Sequence, residues 1–190
     1  MKKIKINVPT KWEDITIKQY NDFIKLFDSK KSDRIKSLEG VSIFCKVPVK
    51  TLKKVFMKDI EKAYSLIVKM TNTGREKIEM KKHIEVEGKT YSLIPNMSEM
   101  STGEFIDLEH YCDENLNNNL HKLMSILYRP LIGKVDRFGR YEIEPYDPDE
   151  EKDEKMLDLT MDIPFGVLDF FFRLETKLLA DSNNYLEKLK

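Results

Sequence analysis

Residues able to do chemistry are few in this chain of 190 amino acids. His83, His110 and His121 are its three imidazoles. His110 and His121 are separated by an asparagine-rich break, so neither HExxH nor another metal-ligand spacing is formed. Glu142, Glu144, Asp147 and Asp149 would be the carboxylates for paired acid–base work. They have no apolar pocket to raise a carboxyl pKa, which reads as simple solvation. Cys45 and Cys112 are the two cysteines, without a CxxC or a Cys/His partner. They fit buried thiols in a reducing, intracellular setting. The seven glycines fall mostly at turns, and no GxGxxG, GxxxxGK[ST] or GxSxG occurs. No catalytic, cofactor-binding or metal-binding residue is assigned, and the chain is read as a non-enzyme with no small-molecule substrate.

What must hold such a surface together is a core, and the composition allows one. The chain is 35% charged and 41% hydrophobic, an ordinary soluble balance with room for one domain or two small lobes. No apolar run reaches the roughly 18 residues of a membrane span, and MKKIKINVPT lacks the apolar centre of a signal peptide. The formal net charge is zero, but it hides an asymmetry. Residues 1–90 carry 22 Lys and Arg against 12 Asp and Glu, and residues 91–190 carry 11 against 21, so the halves stand at +10 and −10. Either the halves form two faces of a dipole suited to head-to-tail stacking, or they fold together and the charges only solvate the surface.

The periodicity predicts four stretches: a basic helical region over 1–75 with a short N-terminal arm, two β-hairpins flanking a helical pair over 76–146, an acidic linker over 147–156, and an apolar C-terminal helix over 157–190 packing back on the body. In the arm Ile4, Ile6 and Val8 alternate, as in a short strand. Thr16 and Gln19 form a capping box with Ile15 and Tyr20 as its staple, which predicts a helix over 17–27. Ser32 opens a second helix interrupted by Gly40, Val49 to Phe56 gives a shorter one, and Asp59 caps the next. The passage from Ile35 to Phe56 has the look of a helix–turn–helix whose Lys50, Lys53 and Lys54 face either phosphates or water.

Past Lys77 the period changes. Ile84 and Val86, then Tyr91 and Leu93, alternate around Gly88, which signals a hairpin. Ser101 and Glu104 form a second capping box, with Met100 and Phe105 as staple. That helix runs to about Cys112, DENLNNN separates it from another, and Pro130 ends the pair. Val135, Tyr141 and Ile143 around Gly139 predict the second hairpin. Pro164 in a first turn, with Asp162 as cap, opens the C-terminal helix. Its apolar face holds Val167, Phe171, Leu174 and Leu178. The fold class is mainly α with two β-hairpins, an α+β chain with a helical, bundle-like body and no parallel sheet.

With no chemistry assigned, contact residues remain. The run Ile126 to Leu131 places an aromatic, an arginine and a proline at a helix end, residue types favoured at interface anchors, which makes Tyr128, Arg129 and Leu131 candidates, although Tyr128 and Leu131 would also lock the hairpin onto the helices. Phe138, Phe170, Tyr185, Leu186 and Leu189 are further candidates. Trp12, on an arm able to lie in a neighbour's groove, is another.

Three stretches, VPTKWEDITIKQYNDFIKL, LYRPLIGK with GRYEIEPYD, and MDIPFGVLDFFFRLETKLL, resemble a family of small tailed-phage structural or assembly proteins, including those of crAss-like and other gut Bacteroidales phages. The resemblance implies a virion component, made in the host bacterial cytoplasm, that forms part of a ring in the head–tail connector or tail. It would touch copies of itself and other phage proteins. A tail assembly chaperone absent from the finished particle is the alternative. A nucleic-acid-binding module using the basic half stands outside that family, and the absence of a distinctive turn signature makes nucleic acid the less expected partner.

Overall fold

Helix entry is fixed by side chains that satisfy the first free N–H groups. In this computed structural model, which describes residues 5–72, 78–148 and 150–171, both expected capping boxes are formed. Thr16 Oγ1 accepts the Gln19 N–H at 3.2 Å and Gln19 Oε1 accepts the Thr16 N–H at 3.1 Å, opening α1 (Ile17–Asp28). Gln19 is itself buried, and its Nε2 donates to the carbonyl of Ile43 at 2.7 Å. One residue thus caps α1 and ties it to the end of α2 (Asp33–Cys45). Gly40 lies within α2 without interrupting it; a Cβ there would come 2.8 Å from the Tyr64 ring. Its absence lets α2 close onto α4 (Met57–Thr71), which buries Ile60, Ala63, Ile67 and Met70.

Two expectations in this region are corrected. Phe56, not Asp59, occupies the cap position of α4, and Asp59 sits inside the first turn, where its charge still favours the positive end. Only Val49–Leu52 of the expected Val49–Phe56 helix is formed, as the single turn α3. Lys50, Lys53 and Lys54 therefore stand exposed without a recognition helix to carry them. The arm is extended over the described residues 5–10 but joins no sheet; Ile6 and Val8 pack on the core while Lys5 and Asn7 face outward.

The hairpins merge into one sheet. β1 (His83–Val86) and β2 (Lys89–Leu93) pair across Glu87 and Gly88, both at positive φ (49° and 77°), as a two-residue hairpin loop requires. β3 is Tyr128–Ile132, earlier than Val135 suggests, and β4 is the short Glu142–Ile143. β3 pairs with β2 through Tyr91↔Pro130 and Leu93↔Tyr128, so the order is β1-β2-β3-β4, antiparallel throughout. Pro130 fits a central strand because its carbonyl, accepting from Glu144 N at 2.9 Å, faces β4. N–H and C=O of one strand residue point the same way, so its missing donor costs nothing on the β2 side.

Between β2 and β3 runs α5 (Thr102–Leu127), bent at Asn115 (φ −164°, ψ 93°). The expected seven-residue separator is in fact one residue, whose Oδ1 accepts Asn118 N at 3.3 Å and restarts the helix. The acidic stretch, expected as a linker, contains α6 (Glu150–Lys155), and a 3-10 turn, Met156–Asp158, follows. The last helix among the described residues, α7, covers 162–171. Asp162 lies in its first turn and not at its cap; its Oδ2 takes Lys81 Nζ at 2.6 Å. Gly166 admits the backbone of Glu79, whose oxygen an added Cβ would meet at 2.8 Å.

One cluster of buried side chains draws on all these regions, from Trp12 and Ile15 through Tyr128 to Met161 and Val167. Ile17 N donates to Leu159 O and Met161 N to Ile15 O, each at 2.8 Å, around the bridge Thr16↔Thr160. Ile15, Ile17 and Met161 are fully buried there, each stabilising by about 1.5–3 kcal/mol.

Candidate functional site

The first turn of α5 reverses the usual sorting of residues. Glu104 is 4% exposed, while its neighbours Phe105 and Ile106 are 58% and 55% exposed. A buried charge beside two exposed large apolar residues is the informative arrangement. The capping box explains its inward half: Glu104 Oε2 accepts Ser101 N at 2.5 Å, and Ser101 Oγ accepts Glu104 N at 3.3 Å. Arg129 Nη1, from β3, approaches Glu104 Oε1 at 2.7 Å. That contact is one of charge and not an aligned hydrogen bond, since Glu104 Oε1 and Arg129 Nε are buried with no hydrogen-bond partner among the described residues. One turn on, Tyr146 donates to Asp107 Oδ2 at 2.6 Å; burial, and then this bond, push the phenol pKa up. The turn is thus fastened from within, and Phe105, expected to close a staple on Met100, faces out.

A cleft of about 420 Å³ lies between β2, the β3–β4 loop and α7. Its wall is apolar and rich in methionine: Met80, Ile94, Pro95, Met97, Phe170 and Phe171, with Lys82 and Arg140 as its cations. The β3–β4 loop is closed by Asp136. Its Oδ1 accepts the N–H groups of Phe138 at 2.7 Å and Arg140 at 2.9 Å, and Oδ2 accepts Arg140 Nε at 2.8 Å. Those bonds from Arg140 hold the Asp136 carboxyl below its usual range. At the tip Phe138 is 67% exposed, with the guanidinium carbons of Arg137 and Arg140 at 4.6 and 5.2 Å from its ring centre.

The expected contact residues separate into three groups. Phe138 and Phe170 are exposed, and Phe170 lines the cleft. Leu131 is half-buried and Arg129 largely enclosed with Glu104. Trp12 is 2% exposed, edge-on to Phe165 at 4.7 Å, and Tyr128 is fully buried with its hydroxyl donating to Lys81 O at 2.5 Å. Both are core residues, because their apolar bodies fill space between helices that a surface arm would leave open, and neither is presented to a neighbour. Tyr185, Leu186 and Leu189 lie outside the described residues. The sequence reading missed Phe105 and Ile106, for which the signal was the capping box itself: it fixes Glu104 inward and so turns the next two positions out.

Several of the described ionisable groups are engaged structurally. Ser125 Oγ lies within hydrogen-bond distance of Asp153 Oδ1, joining α5 to α6, and of the Lys122 carbonyl at 2.8 Å, and its single proton serves one of them at a time. His121 lies one turn earlier on α5; burial lowers its pKa, and Asp153 opposes that. His83 Nδ1 is 2.8 Å from Ser92 Oγ. Burial pushes the Cys45 thiol up to about 11 and the Cys112 thiol upward as well, away from the reactive thiolate. Among the described residues no group of three His, Cys, Asp or Glu is placed to hold a metal ion, and no helix is long and apolar enough to cross a membrane. Comparison with protein-family models, with curated proteins and with solved structures finds no match.

Proposed function

We propose that this chain is a non-enzymatic building block of a tailed-phage particle, forming part of a ring in the head–tail connector or tail through subunit contacts. The observation that carries the assembly role is the rigidly held, outward-facing Phe105 and Ile106 beside buried Glu104. Fixing an apolar pair on an anchored turn lowers the ordering cost of docking. The apolar cleft and the exposed Phe138 tip support the same reading, as do the three stretches that resemble phage assembly proteins. The test is mass spectrometry of purified particles from a host carrying the gene. Peptides from this chain are expected at a fixed multiple per particle. Their absence rejects the virion role and leaves the assembly chaperone.

A further inference from the structure

We infer that the apolar cleft between β2, the β3–β4 loop and α7 receives the Phe105–Ile106 face of α5 from a second copy of this chain; the inference rests on the assembly reading above. Size and charge both select this occupant. The cleft offers about 420 Å³, within the roughly 300–1,000 Å³ of pockets that bury a drug-sized ligand, so two apolar side chains fit. Its cations are Lys82 and Arg140, beside the Tyr141 phenol; Arg140 is already ion-paired with Asp136 in its own loop, so Lys82, which is exposed, is the charge turned to an acidic partner. The helix face carries the opposite sign. Glu109 stands four residues after Phe105 and three after Ile106, so all three share one face, and Glu109 is exposed. Asp113 continues that face and is also exposed. An apolar pair edged with carboxylates thus meets an apolar recess with Lys82 at its edge, the helix-in-groove mode of recognition. Methionines in the wall, Met80 and Met97, adapt to two side chains of different shape.

Donor face and cleft are different patches, so the contact is heterologous: each copy gives its helix face to one neighbour and its cleft to another. Such a contact continues to a ring or a filament instead of stopping at two. Arg129 and Tyr146 act as positioning residues, holding the turn through Glu104 and Asp107 without touching the partner.

Sedimentation velocity on the full chain tests this with two surface variants, each checked for fold by circular dichroism. One carries Phe105→Asp and Ile106→Asp; the other carries Phe170→Glu in the cleft. The unaltered chain is expected to assemble beyond the dimer, more weakly as salt rises. Each folded variant alone should show its dissociation constant raised about tenfold or more. An equimolar mixture of the two should form one-to-one dimers and nothing larger, because one intact face meets one intact cleft. A chain that stays monomeric at the highest concentration reached, or stops at dimers, overturns the inference. So does assembly that both variants leave unchanged, or a mixture that yields no dimer. None of these results bears on whether the chain is found in particles, which decides the assembly reading separately.

Discussion

Arg129 Nη1 on β3 stands 2.7 Å from Glu104 Oε1 in the first turn of α5, with both side chains largely enclosed. The two ends of α5 are thereby held together through its flanking strand. Removing one partner strands a buried charge, so Arg129→Met should cost about 3–5 kcal/mol of unfolding free energy. Replacing both, with Glu104→Leu added, should recover much of that loss. Denaturant unfolding measures each variant; equal stability of the single variant and the parent would reject the pairing.

Gly166 sits where α7 meets the backbone before β1, and an added Cβ would fall 2.8 Å from Glu79 O. Backbone cannot swing aside as a flexible side chain does. Gly166→Ala is expected to destabilise by about 1–3 kcal/mol through overpacking, despite alanine's better helix propensity. A rise in thermal midpoint would contradict the close approach.

His121 is predicted to make the fold acid-sensitive. Burial, the largest effect, lowers its pKa; Asp153 raises it, Lys122 and Lys25 lower it, and Glu154 raises it. With the folded value below the unfolded one, the unfolded chain binds more protons, so stability rises with pH. Its contribution is complete above the unfolded pKa of about 6.5 and is lost as pH falls through the folded value. Thermal melts of His121→Leu should therefore lose less between neutral and mildly acidic pH than those of the parent. Parallel losses would mean the imidazole takes no part.

The thiols should be slow. Cys45 is raised to about 11 and half-buried, while Cys112 is raised and exposed. Alkylation at neutral pH should modify Cys112 first, and both more slowly than a free cysteine, because only the thiolate attacks. Rapid labelling of Cys45 would show that α2 opens.

Local signals were legible in the sequence, and long-range ones were not. Thr16 with Gln19, and Ser101 with Glu104, are four-residue patterns whose hydrogen bonds close on themselves, and both formed as read. Gly88 marked its hairpin for the same reason. The pairing of Leu93 with Tyr128 depends on α5 bringing the chain back, and Pro130 disguised the strand that receives it. Trp12 and Tyr128 looked like contacts because large aromatics serve cores and interfaces alike; burial decides, and burial is set by distant helices. Phe105 was misplaced by extending the staple rule to a turn whose inward position Glu104 had already taken. The acidic stretch read as a linker because its helix α6 carries no apolar face of its own.

The bridge between Thr16 and Thr160 has a consequence during synthesis. The Ile17 N–H finds its acceptor in Leu159 O, and Ile15 O its donor in Met161 N, both far along the sequence. On the ribosome this contact must therefore wait, with Ile15 and Ile17 uncovered on this side, until residues 159–161 have emerged. Closure across so long an interval is slow, and the nascent chain is most open to chaperone capture or mispairing in that interval.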